Sequence, residues 1–209
     1  MLTAEELEAR YAYDTAQLAD HYEGVFTPEE VREAVAVSRE HLEKQASVTD
    51  FLPLLVSRMA KEELLAKAQA EGRVAKALPE ILFVSENNSA RSHMAAALTR
   101  HLADGKVNVR CAGLHPRGGL SSDVITVLAE RGITLKYPYP MPFTSSLVGA
   151  ADVVVTLGVP EFHDFAGKSW VNWEVPSLRG EGLEFVREVA DDLERRIRAL
   201  LADEVRIAA

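Results

Sequence analysis

The second part of the chain alternates short apolar segments with amphipathic ones, and this alternation constrains the fold more than any other feature. Apolar segments at residues 80–84, 107–112, 152–157 and 170–175 are predicted to be strands. Helical spacing of apolar residues is found at 92–102, 122–131 and 182–203. Since strands that alternate with helices favour parallel pairing, we predict an α/β fold with a central parallel four-stranded sheet flanked by helices.

The first part of the chain has a helical pattern and predicts a small bundle of three helices. Thr3 opens a capping box, and Pro28 occupies the first turn of the second helix. A third helical segment spans 48–69, with residues 49–50 as its N-cap region. A small helical bundle is therefore expected before the α/β fold.

Residues 71–79 are predicted to be a hinge between the two parts, although 74–78 could extend a helix. The predicted domains are 1–77, the three-helix N-terminal domain, and 78–209, the α/β domain. The apolar faces of the N-terminal helices suit either self-association as a homodimer or packing onto the α/β domain.

Composition excludes several classes of function. The chain has 209 residues, a net charge of −9 and a pI of about 5.2, which argues against non-specific nucleic-acid binding because that requires a basic face. No apolar run approaches the roughly 20 residues of a membrane span, and the acidic N-terminus lacks a signal-peptide core. We therefore expect a cytoplasmic protein without nucleic-acid or membrane contacts. Cys111 is the single cysteine, so disulfides and cysteine-rich zinc sites are excluded, and we expect neither a metal nor a cofactor.

A strand, a small polar loop and a helix follow one another at residues 81–92, where the sequence is ILFVSENNSARS. Such loops bind oxyanions because backbone N–H groups and the helix N-terminus converge on negative charge, and an arginine can add a bidentate fork. We therefore predict an anion site formed by eight consecutive residues, Ser85, Glu86, Asn87, Asn88, Ser89, Ala90, Arg91 and Ser92.

Five sequence blocks occur in the same order as in a known family. They are VSENNSARSHMA at 84–95, CAGLHP at 111–116, LAERGI at 128–133, ADVVVTLG at 151–158 and NWEVP at 172–176. With these blocks, residues 80–203 resemble the low-molecular-weight protein tyrosine phosphatases, and more closely the arsenate reductases of that family. The segment FLPLL at 51–55 is similar to the three-helix extension of some actinobacterial members.

The resemblance implies a chemistry that needs a thiolate nucleophile, an arginine clamp, a loop-supporting asparagine and an acid for the leaving group. Arg91 matches the clamp, Asn88 matches the supporting asparagine, and Ser92 matches the hydroxyl near the nucleophile. Ser85 stands at the nucleophile position, and Ser177 stands at the general-acid position. The resemblance assigns a cysteine to the first position and an aspartate to the second. A hydroxyl ionises far less readily than a thiol or a carboxyl, so neither serine supplies the chemistry of the residue that it replaces.

Arsenate reduction in this family further requires additional cysteines, and the matching stretch 159–167 contains none. Cys111 is interpreted as a buried packing residue. The combined losses favour a catalytically impaired or repurposed protein that binds phosphate, arsenate or a phosphorylated ligand. The alternatives are a family enzyme captured as a Cys-to-Ser trapping mutant, and an enzyme with new chemistry on a small anionic substrate.

Other side chains are candidates for the same site. His163 and Asp164 could form a pair for acid–base chemistry, or lie in a solvated turn. Trp170 or Trp173 could line a cleft beside the loop, although tryptophan in such a segment is more often a core anchor. Arg117 is a candidate second positive charge beside the anion, with a surface turn as the alternative.

Overall fold

The computed structural model describes residues 3–44, 51–135, 138–159 and 169–207, with side chains up to residue 203. The chain divides into two compact units, residues 1–75 and 76–209. The sequence pattern places the boundary at 77/78, two residues further along. In chain order the elements are α1 (Ala4–His21), α2 (Pro28–Glu43), α3 (Leu52–Ala70), β1 (Glu80–Ser85), α4 (Arg91–Ala103), β2 (Asn108–Gly113), α5 (Ser122–Glu130), α6 (Ser145–Ala150), β3 (Val153–Leu157), β4 (Ser169–Trp173) and α7 (Leu183–Ile207).

The N-terminal unit consists of α1, α2 and α3, as the helical pattern predicts. The Thr3 hydroxyl accepts a hydrogen bond from the Glu6 N–H at 3.2 Å while the Glu6 carboxylate accepts one from the Thr3 N–H at 2.8 Å, which confirms the capping box. Pro28 is the first residue of α2. The predicted cap at residues 49–50 lies outside the described residues. None of the described helices has the length and apolar content needed to cross a membrane.

The second unit is built on a four-stranded parallel sheet with the order β2-β1-β3-β4, which confirms the predicted sheet. β1 and β3 are buried along their whole length, as expected for central strands with both faces covered. Ile81 and Phe83 pack into a core shared with α4, α5 and α7. The opposite face of β1 meets α6.

Some local predictions differ from the structure. At residues 74–78 the hinge prediction agrees with the structure and its helical alternative does not, since the chain there makes bends and irregular segments. The short helix α6 has no counterpart in the sequence pattern, because its six residues are too few to display a helical period. Helix α7 extends to residue 207, four residues beyond its predicted end at 203. These differences lie away from the loop that follows β1.

A buried ion pair joins the neighbouring strands β1 and β2. The Glu80 side chain, at the start of β1, is fully buried and accepts a hydrogen bond from the Arg110 guanidinium on β2. The Asp152 carboxylate accepts the Glu80 N–H at 2.8 Å and the Lys76 ammonium at 2.5 Å. These contacts fix the amino ends of the strands, opposite the edge where the loop lies.

Removing one partner of this pair leaves a buried charge without its counter-ion. We expect Arg110→Met to lower the free energy of unfolding by about 3–5 kcal/mol. Both tryptophans of the chain lie on β4, so urea titration of tryptophan fluorescence reports the unfolding of this unit. Arg198→Met, which breaks an exposed pair with Glu194, is the control and should cost less than about 1 kcal/mol. Equal losses for the two variants would contradict this role of the buried pair.

Candidate anion-binding site

The candidate site lies at the carboxyl ends of the parallel strands. β1 ends at Ser85 and α4 begins at Arg91, so the predicted loop joins a buried strand to a helix N-terminus. β1 lies between β2 and β3 in the sheet. The chain runs from β1 to β2 on one side and then returns to β3 on the other side of β1. Such a reversal of strand order opens a crevice at the carboxyl edge of the sheet. A pocket of about 490 Å³ lies here, lined by the loop, by residues after β2 and by residues after β4.

The carbonyl oxygens of the loop point away from its centre toward the segment that follows β2. Four of them accept hydrogen bonds of 2.8–3.2 Å from backbone N–H groups. The carbonyls of Ser85, Glu86, Asn87 and Ser89 accept from the N–H groups of Leu114, His115, Arg117 and Ser121, respectively. Among the described residues, the N–H groups of residues 87–90 have no backbone acceptor. Consecutive N–H groups left in this way form a concave surface that attracts an anion.

Asn88 holds the loop in this conformation. Its backbone is in the left-handed region, with φ of 48°, and its side chain is buried. The side-chain amide donates to the Ser92 hydroxyl at 2.9 Å, and its oxygen accepts the Met141 N–H at 2.8 Å. Gly113 lies against this turn, and a β-carbon there would be 2.8 Å from the Asn88 nitrogen. The loop therefore requires both the asparagine and the glycine.

The Ser85 side chain is buried and lines the pocket. Its hydroxyl oxygen lies 2.7 Å from the hydroxyl oxygen of Ser92. Because the Ser92 oxygen already accepts a bond from Asn88, its proton is available for donation to Ser85. Among the described residues, no carboxylate or imidazole makes a hydrogen bond to the Ser85 hydroxyl. The surroundings can therefore stabilise negative charge at position 85, but they offer no base to remove the proton of an alcohol.

The Arg91 side chain is anchored by one of its three nitrogens. Nη1 donates to the carbonyl oxygens of Gly158 at 3.2 Å and of Val175 at 3.0 Å. These two bonds use both hydrogens of Nη1, so Nε and Nη2 keep three N–H groups for a ligand. That edge has the geometry of a fork for two oxygens of a tetrahedral anion. Burial lowers the pKa of Arg91 and the Glu86 carboxylate opposes this shift, but a guanidinium stays charged at neutral pH.

Gly158, directly after β3, is required by the anchor of Arg91. Its φ is 59°, and a β-carbon there would lie 2.3 Å both from Arg91 Nη1 and from the Val175 oxygen. Any larger residue would push the guanidinium from its place. The carboxyl ends of β3 and β4 thus fix the arginine that belongs to the helix after β1.

Three of the eight residues predicted to form the anion site do not line the pocket. Asn88 and Ser92 lie behind the loop and support it, as described above. The Glu86 carboxylate lies at the surface, 3.2 Å from His115 Nδ1. The other five, Ser85, Asn87, Ser89, Ala90 and Arg91, line the pocket directly.

The far wall of the pocket is formed by the segment after β4. Ser177 lines the pocket opposite Ser85, at the position that the resemblance assigns to the general acid. Its hydroxyl accepts the Arg179 N–H at 3.3 Å. The Leu178 side chain is buried in the core and anchors the segment, while Arg179 also lines the pocket. This wall therefore presents a hydroxyl and a cation where the family chemistry needs a carboxyl.

A third wall comes from the residues after β2. The Arg117 Nε donates to the Asn87 side-chain oxygen at 3.1 Å, so the predicted second positive charge does lie beside the loop. Asp123, in the first turn of α5, contributes a carboxylate to the same pocket. The pocket is thus lined by three arginines, Arg91, Arg117 and Arg179, and by one acidic side chain.

Cys111 does not line the pocket. It is buried on β2, and its sulfur lies 3.5 Å from His93 Nδ1. Burial raises the pKa of the thiol, but His93, Arg100 and Asn88 together bring it below its ordinary value. The interpretation as a buried packing residue is confirmed, with His93 as its polar neighbour.

Four candidates from the sequence remain, and the structure describes two of them. His163 and Asp164 lie outside the described residues. Trp173 is buried in the core, with its ring centroid 6.1 Å from that of Phe83, which agrees with its interpretation as a core anchor. Neither Trp170 nor Trp173 lines the pocket, so the cleft-lining alternative is not found there. Within the described ranges, no group of three or more His, Cys, Asp or Glu side chains is placed to hold a metal ion.

Three residues of the site, Gly158, Arg179 and Asp123, were missed by sequence reasoning. Gly158 follows an apolar strand directly, a signal that could have marked a close backbone approach. Arg179 lies two residues after Ser177, the general-acid position, so its location could have been inferred. Asp123 resembles an ordinary helix-start acid, and nothing in the sequence separates it from one.

Comparison with known proteins gives the same fold. Residues 80–207 match the family model of the low molecular weight phosphotyrosine protein phosphatases. Residues 11–68 match a second model, the N-terminal domain of protein-tyrosine-phosphatase-like proteins. The two matches correspond to the two units of the structure.

Individual relatives include both reductases and phosphatases. The thioredoxin-dependent arsenate reductase Cg_ArsC1' of Corynebacterium glutamicum is 32% identical with a TM-score of 0.84, covering 95% of this chain and 98% of its own. The protein-arginine-phosphatase of Bacillus subtilis strain 168 is 35% identical over 141 residues, 58% of this chain and 93% of its own. A cysteine-to-serine mutant of the YwlE arginine phosphatase, with a phosphorylated active site serine, is 26% identical with a TM-score of 0.53, covering 59% of this chain and 94% of its own.

The left-handed backbone at Asn88 can be tested separately from its side-chain hydrogen bonds. Asn88→Gly and Asn88→Ala both remove the bonds to Ser92 and Met141, but alanine also strains a backbone with φ of 48°. We expect alanine to lower the free energy of unfolding by about 1 kcal/mol more than glycine, measured by urea titration of tryptophan fluorescence. Alanine as stable as glycine would show that the loop does not require this conformation.

Proposed function

Because the chain belongs to the low molecular weight phosphotyrosine protein phosphatase family, we propose that it binds phosphate, arsenate or a phosphorylated ligand in the loop of residues 85–92 without turnover. The observation that carries the proposal is a separation of functions within one pocket. The groups suited to binding an anion are in place, while the positions that would break a bond to phosphorus or arsenic hold hydroxyls.

Binding is supported by three sources of positive potential that meet in the pocket. The N–H groups of residues 87–90 have no backbone acceptor among the described residues. Helix α4 begins at the next residue, Arg91, so its N-terminus adds positive potential at the same place. The Nε/Nη2 edge of Arg91 adds a charged fork. The loop is already held by its outward hydrogen bonds, so an anion would bind without reorganising the backbone.

Loss of turnover is supported first by Ser85. A nucleophilic serine needs a neighbouring base, and the Ser85 hydroxyl meets the hydroxyl of Ser92 instead. A hydrogen bond donated by Ser92 would suit a thiolate, which is charged before the reaction begins. The same bond cannot take up the proton of an alcohol. We therefore infer that Ser85 contributes a polar contact to a bound anion and does not sustain turnover.

Ser177 supports the same conclusion at the other end of the reaction. A phosphate ester of a poor leaving group needs a proton as its bond breaks, and a general acid typically contributes about 10²–10⁴ in rate. A serine hydroxyl cannot supply that proton at neutral pH. Asp123 lines the pocket but belongs to the wall after β2, away from the segment that carries the acid in the family pattern.

Arsenate reduction requires thiols that this chain lacks at the pocket. The single cysteine, Cys111, is buried and does not line the pocket. Arsenate can therefore occupy the loop as a phosphate analogue, but its two-electron reduction has no cysteine relay to proceed through.

In the YwlE mutant the active site serine itself carries the phosphoryl group, so the loop of that relative accommodates a phosphoryl group with serine in place of the thiol. We infer that a serine at position 85 leaves room for a phosphoryl group in this chain.

A second candidate function is supported by the intact surroundings of position 85. The Asn88–Ser92 pair would stabilise a thiolate there as readily as it contacts the present hydroxyl. If the natural residue at position 85 is cysteine, the chain is an enzyme of the family captured as a trapping mutant. The first candidate is preferred because Ser177 and the missing redox cysteines would still impair such an enzyme.

Anion binding is tested by isothermal titration calorimetry with orthophosphate and arsenate. We expect Arg91→Gln to weaken both affinities about tenfold or more, because it removes a charged hydrogen-bonding fork. Arg91→Lys keeps the charge but not the fork and should recover part of the affinity. Arg195→Gln, which alters an exposed helix residue paired with Asp192, serves as the control. Absence of binding to either anion in the unaltered protein would refute the proposal.

Turnover is tested by restoring the missing groups one at a time. We expect no hydrolysis of p-nitrophenyl phosphate by the unaltered protein and measurable hydrolysis by Ser85→Cys, because an aryl leaving group needs little help from an acid. An alkyl phosphate should remain a poor substrate until Ser177→Asp is added, with a gain of about 10² or more. Hydrolysis by the unaltered protein at a rate similar to that of Ser85→Cys would contradict the proposed loss of catalysis.

A further inference from the structure

The arginines of this acidic chain are mostly paired with carboxylates. Within the described residues, carboxylate partners within 4.0 Å are found for Arg10, Arg32, Arg39, Arg73, Arg110, Arg131, Arg187, Arg195, Arg196 and Arg198. Arg91, Arg100, Arg117 and Arg179 have no such partner there. Arg100 donates to the Val109 carbonyl oxygen instead, and the other three line the same pocket. In a chain with net charge −9, this grouping is a local reversal of charge.

Arg117 is oriented by the loop that it borders. Its Nε donates to the Asn87 side-chain oxygen at 3.1 Å, and its backbone N–H donates to the Asn87 carbonyl at 3.2 Å. Both terminal nitrogens of the guanidinium remain without a described partner. Gly118 and Gly119 follow and also line the pocket, so they leave the space beside the guanidinium open.

Arg179 reaches the pocket from the opposite wall. The neighbouring Leu178 is buried in the core, and the Arg179 N–H is bonded to the Ser177 hydroxyl, so the backbone that carries the guanidinium is fixed. The Arg179 side chain itself is exposed at the pocket and has no described hydrogen-bond partner. The segments after β2 and after β4 thus bring the guanidinium groups of Arg117 and Arg179 to the pocket that Arg91 also lines.

The size and charge of the pocket exceed what a single tetrahedral anion needs. Its volume of about 490 Å³ falls within the range of roughly 300–1,000 Å³ that small-molecule pockets occupy. The loop amides and Arg91 are sufficient to surround one phosphoryl group. Arg117 and Arg179 then remain, with Asp123 as the one acidic side chain that lines the pocket.

We propose that the ligand is a phosphorylated small molecule with a second anionic group, carboxylate or phosphate, which Arg117 and Arg179 bind while the loop holds the phosphoryl group. This inference rests on the function proposed above, because the loop must first accept the phosphoryl group. It adds the class of ligand. Molecules with one anionic group would fill the loop and leave Arg117 and Arg179 without an anionic partner.

Two matched pairs of probes test this second subsite by calorimetry. Phosphoglycolate and ethyl phosphate differ mainly in a carboxylate, while fructose bisphosphate and fructose monophosphate differ in a second phosphate at a longer spacing. We expect the doubly anionic member of at least one pair to bind about tenfold tighter than its partner, as a charged hydrogen-bonding contact would give. The pair that shows the preference identifies the second group.

The ratio of the two affinities is the readout, because a merely unfolded or distorted protein would lose both affinities alike. Arg179→Gln and, independently, Arg117→Gln should bring the ratio close to one. Arg91→Gln should weaken both members of a pair together, and the exposed control Arg195→Gln should change neither. The tryptophan fluorescence transition in urea verifies that each variant is folded.

The outcomes separate this inference from the proposal on which it rests. Orthophosphate binding with affinity ratios near one in both pairs would overturn the second subsite and leave the anion loop intact. A ratio that persists in both Arg117→Gln and Arg179→Gln would also overturn it. Absence of orthophosphate binding would overturn both proposals.

Discussion

The anion loop depends on hydrogen bonds that its carbonyl oxygens make in the direction away from the pocket. The segment 114–121 donates backbone N–H groups to four of these carbonyls, and this fixes the direction of each peptide unit. Once the carbonyls point outward, the intervening N–H groups point into the pocket. Asn88 supplies the left-handed turn that the path requires, and Gly113 supplies the space for it. The loop is therefore organised before any ligand arrives.

The structure separates the groups that would bind an anion from those that would react with it. The proposed binding would depend on backbone amides, on a helix N-terminus and on Arg91, none of which requires a particular side chain at position 85. Reaction depends on the ionisation of residue 85 and on a proton donor at position 177. Serines at these two positions would therefore leave the anion loop unchanged, because a hydroxyl preserves the shape and polarity of the pocket. They would remove the chemistry, because a hydroxyl provides neither a thiolate at position 85 nor a proton donor at position 177.

Much of the fold could be predicted because its signals are local. The apolar segment at 152–157 predicts a buried strand, and the Thr3 capping box predicts the start of α1. The loop could be predicted from its position between a strand and a helix, together with Arg91. By contrast, the pocket walls depend on tertiary contacts. The need for Gly158 arises from a guanidinium far along the chain, and the approach of Arg179 depends on the burial of Leu178. Such constraints have no local periodicity.

A crystal of the unaltered protein soaked in sodium arsenate tests anion binding most directly, since the anomalous scattering of arsenic identifies the ligand. The arrangement of loop and arginine predicts a tetrahedral oxyanion within hydrogen-bond distance of the N–H groups of residues 87–90, with two of its oxygens on the Nε/Nη2 edge of Arg91. We expect no bond between arsenic and the Ser85 oxygen. A pocket without arsenic at a saturating soak would contradict the retained binding site, and a covalent Ser85 adduct would contradict the loss of the nucleophile.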